Sequence, residues 1–354
     1  MNQVLAAVLE VVGVAGMFLL LIAPHEAGHF LVAKLFKVRV LEFSIGAGTK
    51  LWSTTRDGTL YAIRLLPILG YVRMGGMEGG DFDEPNGFHS KHPAKRIAIL
   101  AAGPIANFLV AMVLIAGATM TQLNSDPGKV LAVFGDTPAA AAGLQAGDHI
   151  STVDGKPIRV PENIQQAEVG AGGRPVVVTG THADGRPFSV TVTPKCSSSG
   201  CQMGVGIARI TTPLTAIQDG VVFPWQAFQV IVQGLGSLVT GQIQGGLFGK
   251  SGLTGPIGIA AITADAVNQG PPAYVTLVAL LSVALGVTNL LPLLALDGGR
   301  IVVVLVEWLR RRPFDRNMEL NFQRFGLAAL LALAAIISFL DIQRLASGQF
   351  PGVG

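Results

Sequence analysis

Charge is scarce in this sequence: Asp, Glu, Lys and Arg make up 13% of 354 residues, while half the residues are hydrophobic. Soluble domains carry about 25% charged residues, so the balance excludes an ordinary globular protein and fits one immersed in a bilayer. The net charge of +3 is too small to argue for nucleic acid, and no basic run is interleaved with aromatics. Cysteine is nearly absent. Cys196 and Cys201, in Cys-Ser-Ser-Ser-Gly-Cys, are the only two, which excludes a cysteine-rich metal site. Their spacing suits a disulfide in an oxidising compartment and two unlinked thiols equally well. The N-terminus lacks the basic region of a cleavable signal and is read as a retained first span.

What the sequence does have is long uncharged runs. Residues 97–125 and 266–296 each exceed the roughly 20 residues needed to cross a bilayer. Residues 325–340 become long enough if Arg324 snorkels. With the apolar N-terminal segment these predict four spans. Ten basic residues lie between 34 and 96 and six between 300 and 324, so both segments are expected on the cytoplasmic side, with the termini and the middle of the chain outside.

At the end of the first apolar segment stands His25-Glu26-Ala27-Gly28-His29, built from two of only six histidines. Residues four apart share a helix face, so both imidazoles can meet one cation, with Glu26 beside them as a general base for a bound water. Ionisable groups among lipid-facing residues are expensive and point to function. Two histidines do not complete a catalytic zinc site. The candidate third ligand is Asp297, in Asn289-Leu-Leu-Pro-Leu-Leu-Ala-Leu-Asp297-Gly-Gly299. After so long an uncharged run its carboxylate needs a partner, either a metal or Arg300. Pro292 interrupts the helix, the glycines allow a tight path, and Asn289 can donate to a developing oxyanion.

Between the spans, residues 38–75 alternate as strands around the turn Arg56-Asp57-Gly58-Thr59. The sheet ends in Gly70, Tyr71, Val72, Arg73 and Met74, an edge that could take an extended peptide by strand addition or serve only as structure. Residues 126–209 have globular composition. With Gly135-Asp-Thr-Pro-Ala139, Ala142-Gly-Leu144, Gly147-Asp148, Val153-Asp-Gly155 and Gly204-Val-Gly-Ile207, this region resembles a single PDZ domain of the bacterial permuted sort. It could capture peptide or act sterically. Residues 212–250, broken by Gly, Gln and Pro, are expected to form an interfacial amphipathic helix on the outer face.

The paired motifs resemble the site-2 intramembrane metalloproteases, specifically the bacterial branch that cleaves anti-sigma factors. Ala102-Gly-Pro-Ile-Ala-Asn107 and Gly255-Pro-Ile-Gly258 add to the likeness, which covers nearly the whole chain; Leu294 departs from it, standing where a second proline is usual. The resemblance implies a polytopic α-helical membrane protein with a membrane-associated β-hairpin and one inserted extracytoplasmic PDZ domain. The expected layout is a first span in 1–37, hairpin region 38–96, second span 97–123, PDZ domain 126–209, interfacial segment 210–265, third span 266–299, cytoplasmic loop 300–324, fourth span 325–343 and tail 344–354. It further implies one Zn2+ per chain held by His25, His29 and Asp297, Glu26 as base and proton shuttle, and Asn107 and Asn289 holding substrate or its oxyanion. The implied location is a bacterial cytoplasmic membrane, with the active site toward the cytoplasm. The implied substrates are single-span membrane proteins trimmed beforehand by another protease. The rival readings are a PDZ-bearing scaffold or chaperone with a vestigial metal site, and a metal transporter. Intact Glu26 argues against the first, and the single polar cluster in the spans against the second.

Overall fold

A computed structural model describes residues 3–77, 81–197, 200–242, 253–293, 295–348 and 350. Leu294, the departure from the usual proline, lies outside them. In chain order the elements are α1 (Gln3–Leu35), β1 (Val40–Arg56), β2 (Thr59–Met74), a 3-10 turn (Phe88–Ser90), α2 (Pro93–Met120), β3 (Val130–Val133), α3 (Pro138–Ala141), β4 (His149–Val153), β5 (Lys156–Pro157), α4 (Glu162–Ala171), β6 (Val176–Thr181), β7 (Pro187–Val192), β8 (Lys195–Ser197), β9 (Gly200–Gln202), β10 (Val205–Ile207), α5 (Pro213–Val239), α6 (Pro256–Gln269), α7 (Pro271–Leu290), α8 (Asp297–Arg310) and α9 (Arg316–Ala346). They form two compact units, 1–116 with 219–354, and 117–218.

The first unit is built on helices whose side chains are apolar nearly all round, as a polytopic membrane protein requires. Among the described residues, five helices are long and apolar enough to cross a bilayer: α1, α2, α5, α7 and α9. The sequence predicts four. The additional candidate is α5, where Pro224 and several glycines, read as breaks, are absorbed into one continuous helix. The run 266–296 is not one helix either. Gly270 adopts a φ of 105° between α6 and α7, and Pro271 and Pro272 follow at the start of α7, where a missing N–H costs nothing. At its other end α7 stops at Leu290, two residues before Pro292.

The strands β1 and β2 fold back on themselves. Residues Glu42, Phe43 and Ser44 lie beside Leu60, Tyr61 and Ala62 on one side and beside Arg73, Val72 and Tyr71 on the other. The Asp57-Gly58 turn takes positive φ at both positions, as a tight hairpin demands. Residues 50–56 pair in turn with 59–64, which leaves 70–74 as an edge segment.

The second unit has a four-stranded sheet in the order β5-β4-β6-β7, a β3–β10 pair and a β8–β9 hairpin. Its core gathers Val130, Ile150 and Val178 from the strands, Ile164 from α4, and Leu144 and Met203 from the connections. Thr137 caps α3 by accepting from the Ala140 N–H. Cys196 and Cys201 face each other across the β8–β9 hairpin and are joined.

A buried ion pair ties three helices of the first unit. Arg96 of α2 donates to Glu307 of α8 at 2.7 Å, both side chains being about 5% exposed, and Arg316 of α9 donates to the other Glu307 oxygen at 2.6 Å. Burial, with Arg316, Arg96 and Arg300 nearby, pushes His89 down to about 3, so it adds no further cation. Removing one partner of such a pair strands the other in low dielectric. Glu307→Gln should therefore cost about 3–5 kcal/mol in detergent unfolding, whereas Arg186→Gln at the exposed Arg186–Asp184 pair should leave the midpoint unchanged.

Candidate metal centre

The helical spacing of α1 sets His25 and His29 one above the other, with ring centroids 4.8 Å apart. Both are buried. The His29 Nδ1–H donates to the carbonyl of Ile99 on α2 at 2.8 Å, which fixes the ring and turns Nε2 toward His25. Asp297 opens α8 and delivers its carboxylate from the far end of the sequence. Its Oδ2 lies 3.3 Å from both Nε2 atoms, which are themselves 3.2 Å apart. Arg300, the rival partner for that carboxylate, donates instead to Gln323 at 2.9 Å.

Two ligands of a tetrahedral zinc ion, each about 2.0–2.1 Å from the metal, sit roughly 3.3–3.4 Å apart. Three atoms at 3.2–3.3 Å therefore fit three corners of such a tetrahedron, and the fourth is left for water or substrate. Two imidazoles and a carboxylate are also the donor types zinc takes at catalytic sites. Among the described residues this is the one group of three or more His, Cys, Asp or Glu side chains close enough to share an ion.

Glycines make the convergence possible. A methyl group at Gly103 of α2 would overlap the His29 ring and lie 2.9 Å from His25. One at Gly28 would run into the Ala102 carbonyl, and one at Gly298 into the carbonyls of Leu290 and Leu291. Gly70 brings the sheet edge against Glu26, where a Cβ would sit 2.9 Å from Glu26 Cγ. Gly103 stands within Ala102-Gly-Pro-Ile-Ala-Asn107, but the motif alone assigned it no part; a glycine deep in an apolar helix was the available signal.

A cavity of about 480 Å³ brings His25, Glu26, His29, Asn289 and Asp297 together with Gly70, Tyr71, Val72, Arg73 and Met74. The edge segment is held in place by a network that the sequence did not foreshadow. The Tyr71 hydroxyl donates to Glu42 at 2.6 Å, and Arg64 donates to that same carboxylate, to Tyr71 and to Ser44, each at 2.8 Å. Asn107 is not among the cavity's walls. It is fully buried one turn beyond Gly103, and its side-chain amide has no hydrogen-bond partner among the described residues.

The chain is similar to a set of known proteins. The model of peptidase family M50 matches residues 13–333. A Clostridium perfringens protein carrying the provisional name zinc metalloprotease is 31% identical, over 92% of this chain and 96% of its own length. The zinc metalloprotease RasP of Bacillus licheniformis is 29% identical, over 98% of this chain and 100% of its own. The regulator of sigma-W protease RasP of Bacillus subtilis is 28% identical, over 91% and 95%.

The overlap at Gly103 gives a direct test. Gly103→Ala should lower zinc affinity by at least about 10–100-fold, the scale of losing a metal site's outer support, read as zinc retained against graded chelator. Gly117→Ala, on the same helix with nothing within 4 Å of its Cβ, should retain zinc as wild type does.

Proposed function

Because this chain belongs to peptidase family M50, the site-2 proteases, and is a membrane metalloendopeptidase, we propose that it hydrolyses a peptide bond within the transmembrane segment of single-span proteins. Anti-sigma factors and signal-peptide remnants are the substrate classes in view. The observation that carries this reading is the meeting of His25, His29 and Asp297 beside Glu26 and a sheet edge in one cavity. In this reading one zinc ion per chain is held by His25, His29 and Asp297. When bound, zinc supplies Lewis acidity to a water and to the scissile carbonyl.

The chain's own groups do the rest. Glu26, which lines the same cavity as His25, His29 and Asp297, would take the proton of the attacking water and pass it to the leaving amine nitrogen. A helical substrate hides its carbonyls in hydrogen bonds and must unwind first. Gly70, Tyr71, Val72, Arg73 and Met74 would receive the extended strand by its addition beside this segment at the edge of the sheet. Asn289 donates to the developing oxyanion. Asn107, whose buried side-chain amide has no hydrogen-bond partner among the described residues, is the second group assigned to hold the substrate or its oxyanion.

The orientation rests on charge and on helix direction. Basic residues in 34–96 and 300–324 support an orientation with those segments, and the cavity, toward the cytoplasm of a bacterial plasma membrane. The Tyr274 hydroxyl at the start of α7 donates to the Gly13 carbonyl of α1 at 2.8 Å, and Asp297 beyond its end meets His25, so α1 and α7 run in the same direction. A chain that returns outward through α2 must then begin α7 outside. The stretch from α5 through α6 therefore makes no net crossing, and α5 can dip into the bilayer without inverting α7, α8 and α9. Residues 126–209 form the extracytoplasmic PDZ domain in this scheme. The domain screens out untrimmed ectodomains, which makes a first cleavage by another protease a prerequisite.

Glu26→Gln should reduce cleavage of a single-span substrate in liposomes by about 10²–10⁴-fold while zinc content stays at the wild-type level. Asp297→Asn should lower both. A Glu26→Gln chain that cleaves normally would sink this reading, and an unchanged cellular phenotype without cleavage would favour a scaffold.

A further inference from the structure

The second unit carries a groove that the peptidase reading does not use. A cavity of about 390 Å³ opens between α4 and β10, walled by Phe134, Ile164, Val169, Val205 and Ile207. Strand β10 pairs only with β3 among the described residues, so its other side is an open edge. Open edges with apolar pockets accept extended peptide as an added strand.

Grooves of this kind often close on backbone N–H groups that capture the carboxylate of a chain terminus. Here one N–H of the loop entering β10 is already engaged by a carboxylate. The Met203 N–H donates to Glu168 Oε1 at 2.8 Å, and both residues are buried. The backbone beside that contact is closely packed. Gly204 has a φ of 89°, and a Cβ there would overlap Thr137. The Cys196–Cys201 bond closes the hairpin just before it.

Charge points the same way. Glu162 and Glu168 both line the groove, Gln165 lies between them, and no lysine or arginine does. A terminal carboxylate arriving there would meet two like charges and no basic side chain. Burial raises the Glu168 carboxyl and the Met203 N–H holds it back, and either protonation state fills that N–H.

We propose that this groove binds an internal, extended polypeptide segment bearing lysine or arginine, added as a strand to β10, and that it rejects free C-termini. An internal segment has no terminal carboxylate to seat, its backbone can still pair with β10, and its basic side chain meets Glu162 and Glu168. The claim concerns binding by residues 117–218 alone. Its failure would leave the peptidase reading standing, and the peptidase reading can fail without touching it.

The test uses the full chain in nanodiscs against two arrays of the same random N-acetylated octapeptides, one ending in carboxamide and one in free carboxylate. The carboxamide array should enrich lysine or arginine, and its best binders should lose about tenfold in affinity when remade as free acids. Glu168→Gln, which keeps an acceptor for Met203 but removes the charge, should shrink the preference for basic residues. Val205→Pro, which removes an edge N–H, should weaken all binders. Stronger enrichment from the free-carboxylate array would overturn the proposal. So would an absence of enrichment from either array relative to the Val205→Pro chain.

Discussion

A carboxylate among apolar helices is the constraint around which the first unit is arranged. Asp297 follows a long uncharged run, and an unpaired charge in such surroundings carries a desolvation cost of several kcal/mol or more. Its Oδ2 lies instead against two imidazole nitrogens from the other end of the chain. That contact binds the start of α8 to α1, and the His29 bond to Ile99 binds α1 to α2. Three separate stretches of sequence are thus locked at one depth by polar atoms that have no alternative partner in hydrocarbon. A zinc ion held there would convert a costly cluster of donors into a satisfied coordination sphere.

Close approach is the second requirement, and it is met by removing atoms rather than adding contacts. Gly103, Gly28, Gly70 and Gly298 each stand where a Cβ would collide with a neighbouring backbone or with the site itself. Small residues play this part generally in membrane helix packing, where lipid removes the usual hydrophobic drive for association. Here they do more than pack helices. Gly70 sets a β-edge against Glu26, so the proposed general base and the proposed binding strand share a wall. The Arg64–Glu42–Tyr71 network then stiffens that strand, the Glu42 carboxylate being satisfied by donors from both of the others.

The second unit obeys different rules. Its core is that of a small water-soluble domain, with buried valines and isoleucines at alternating strand positions. Among the described residues its one buried carboxylate outside a salt bridge or histidine pair, Glu168, borders a groove and accepts from the buried Met203 N–H. The same residue type thus serves the proposed catalytic step in one unit and fills a binding loop in the other, because the surroundings of each decide what its oxygens can reach.

Local pattern was enough to establish the membrane class, the zinc-type motif, the third ligand candidate and the hairpin turn. Each is written in neighbouring residues: hydropathy runs, a four-residue helical spacing, an Asp after an uncharged run, an Asp-Gly pair. Pro292 likewise announced where α7 must stop. Such pattern could not decide whether 212–250 breaks or continues as a helix, because helix propensity is overridden by packing, and α5 runs through its glycines and Pro224. Nor could it show that 266–296 splits at Gly270, that Gly103 abuts the histidines, or that the Asn107 amide is buried without a partner among the described residues. Those facts depend on which surfaces meet, and that is set by contacts between residues tens to hundreds of positions apart. Folding in three dimensions brought Asp297 within 3.3 Å of His25, since no spacing rule links positions so distant in the chain.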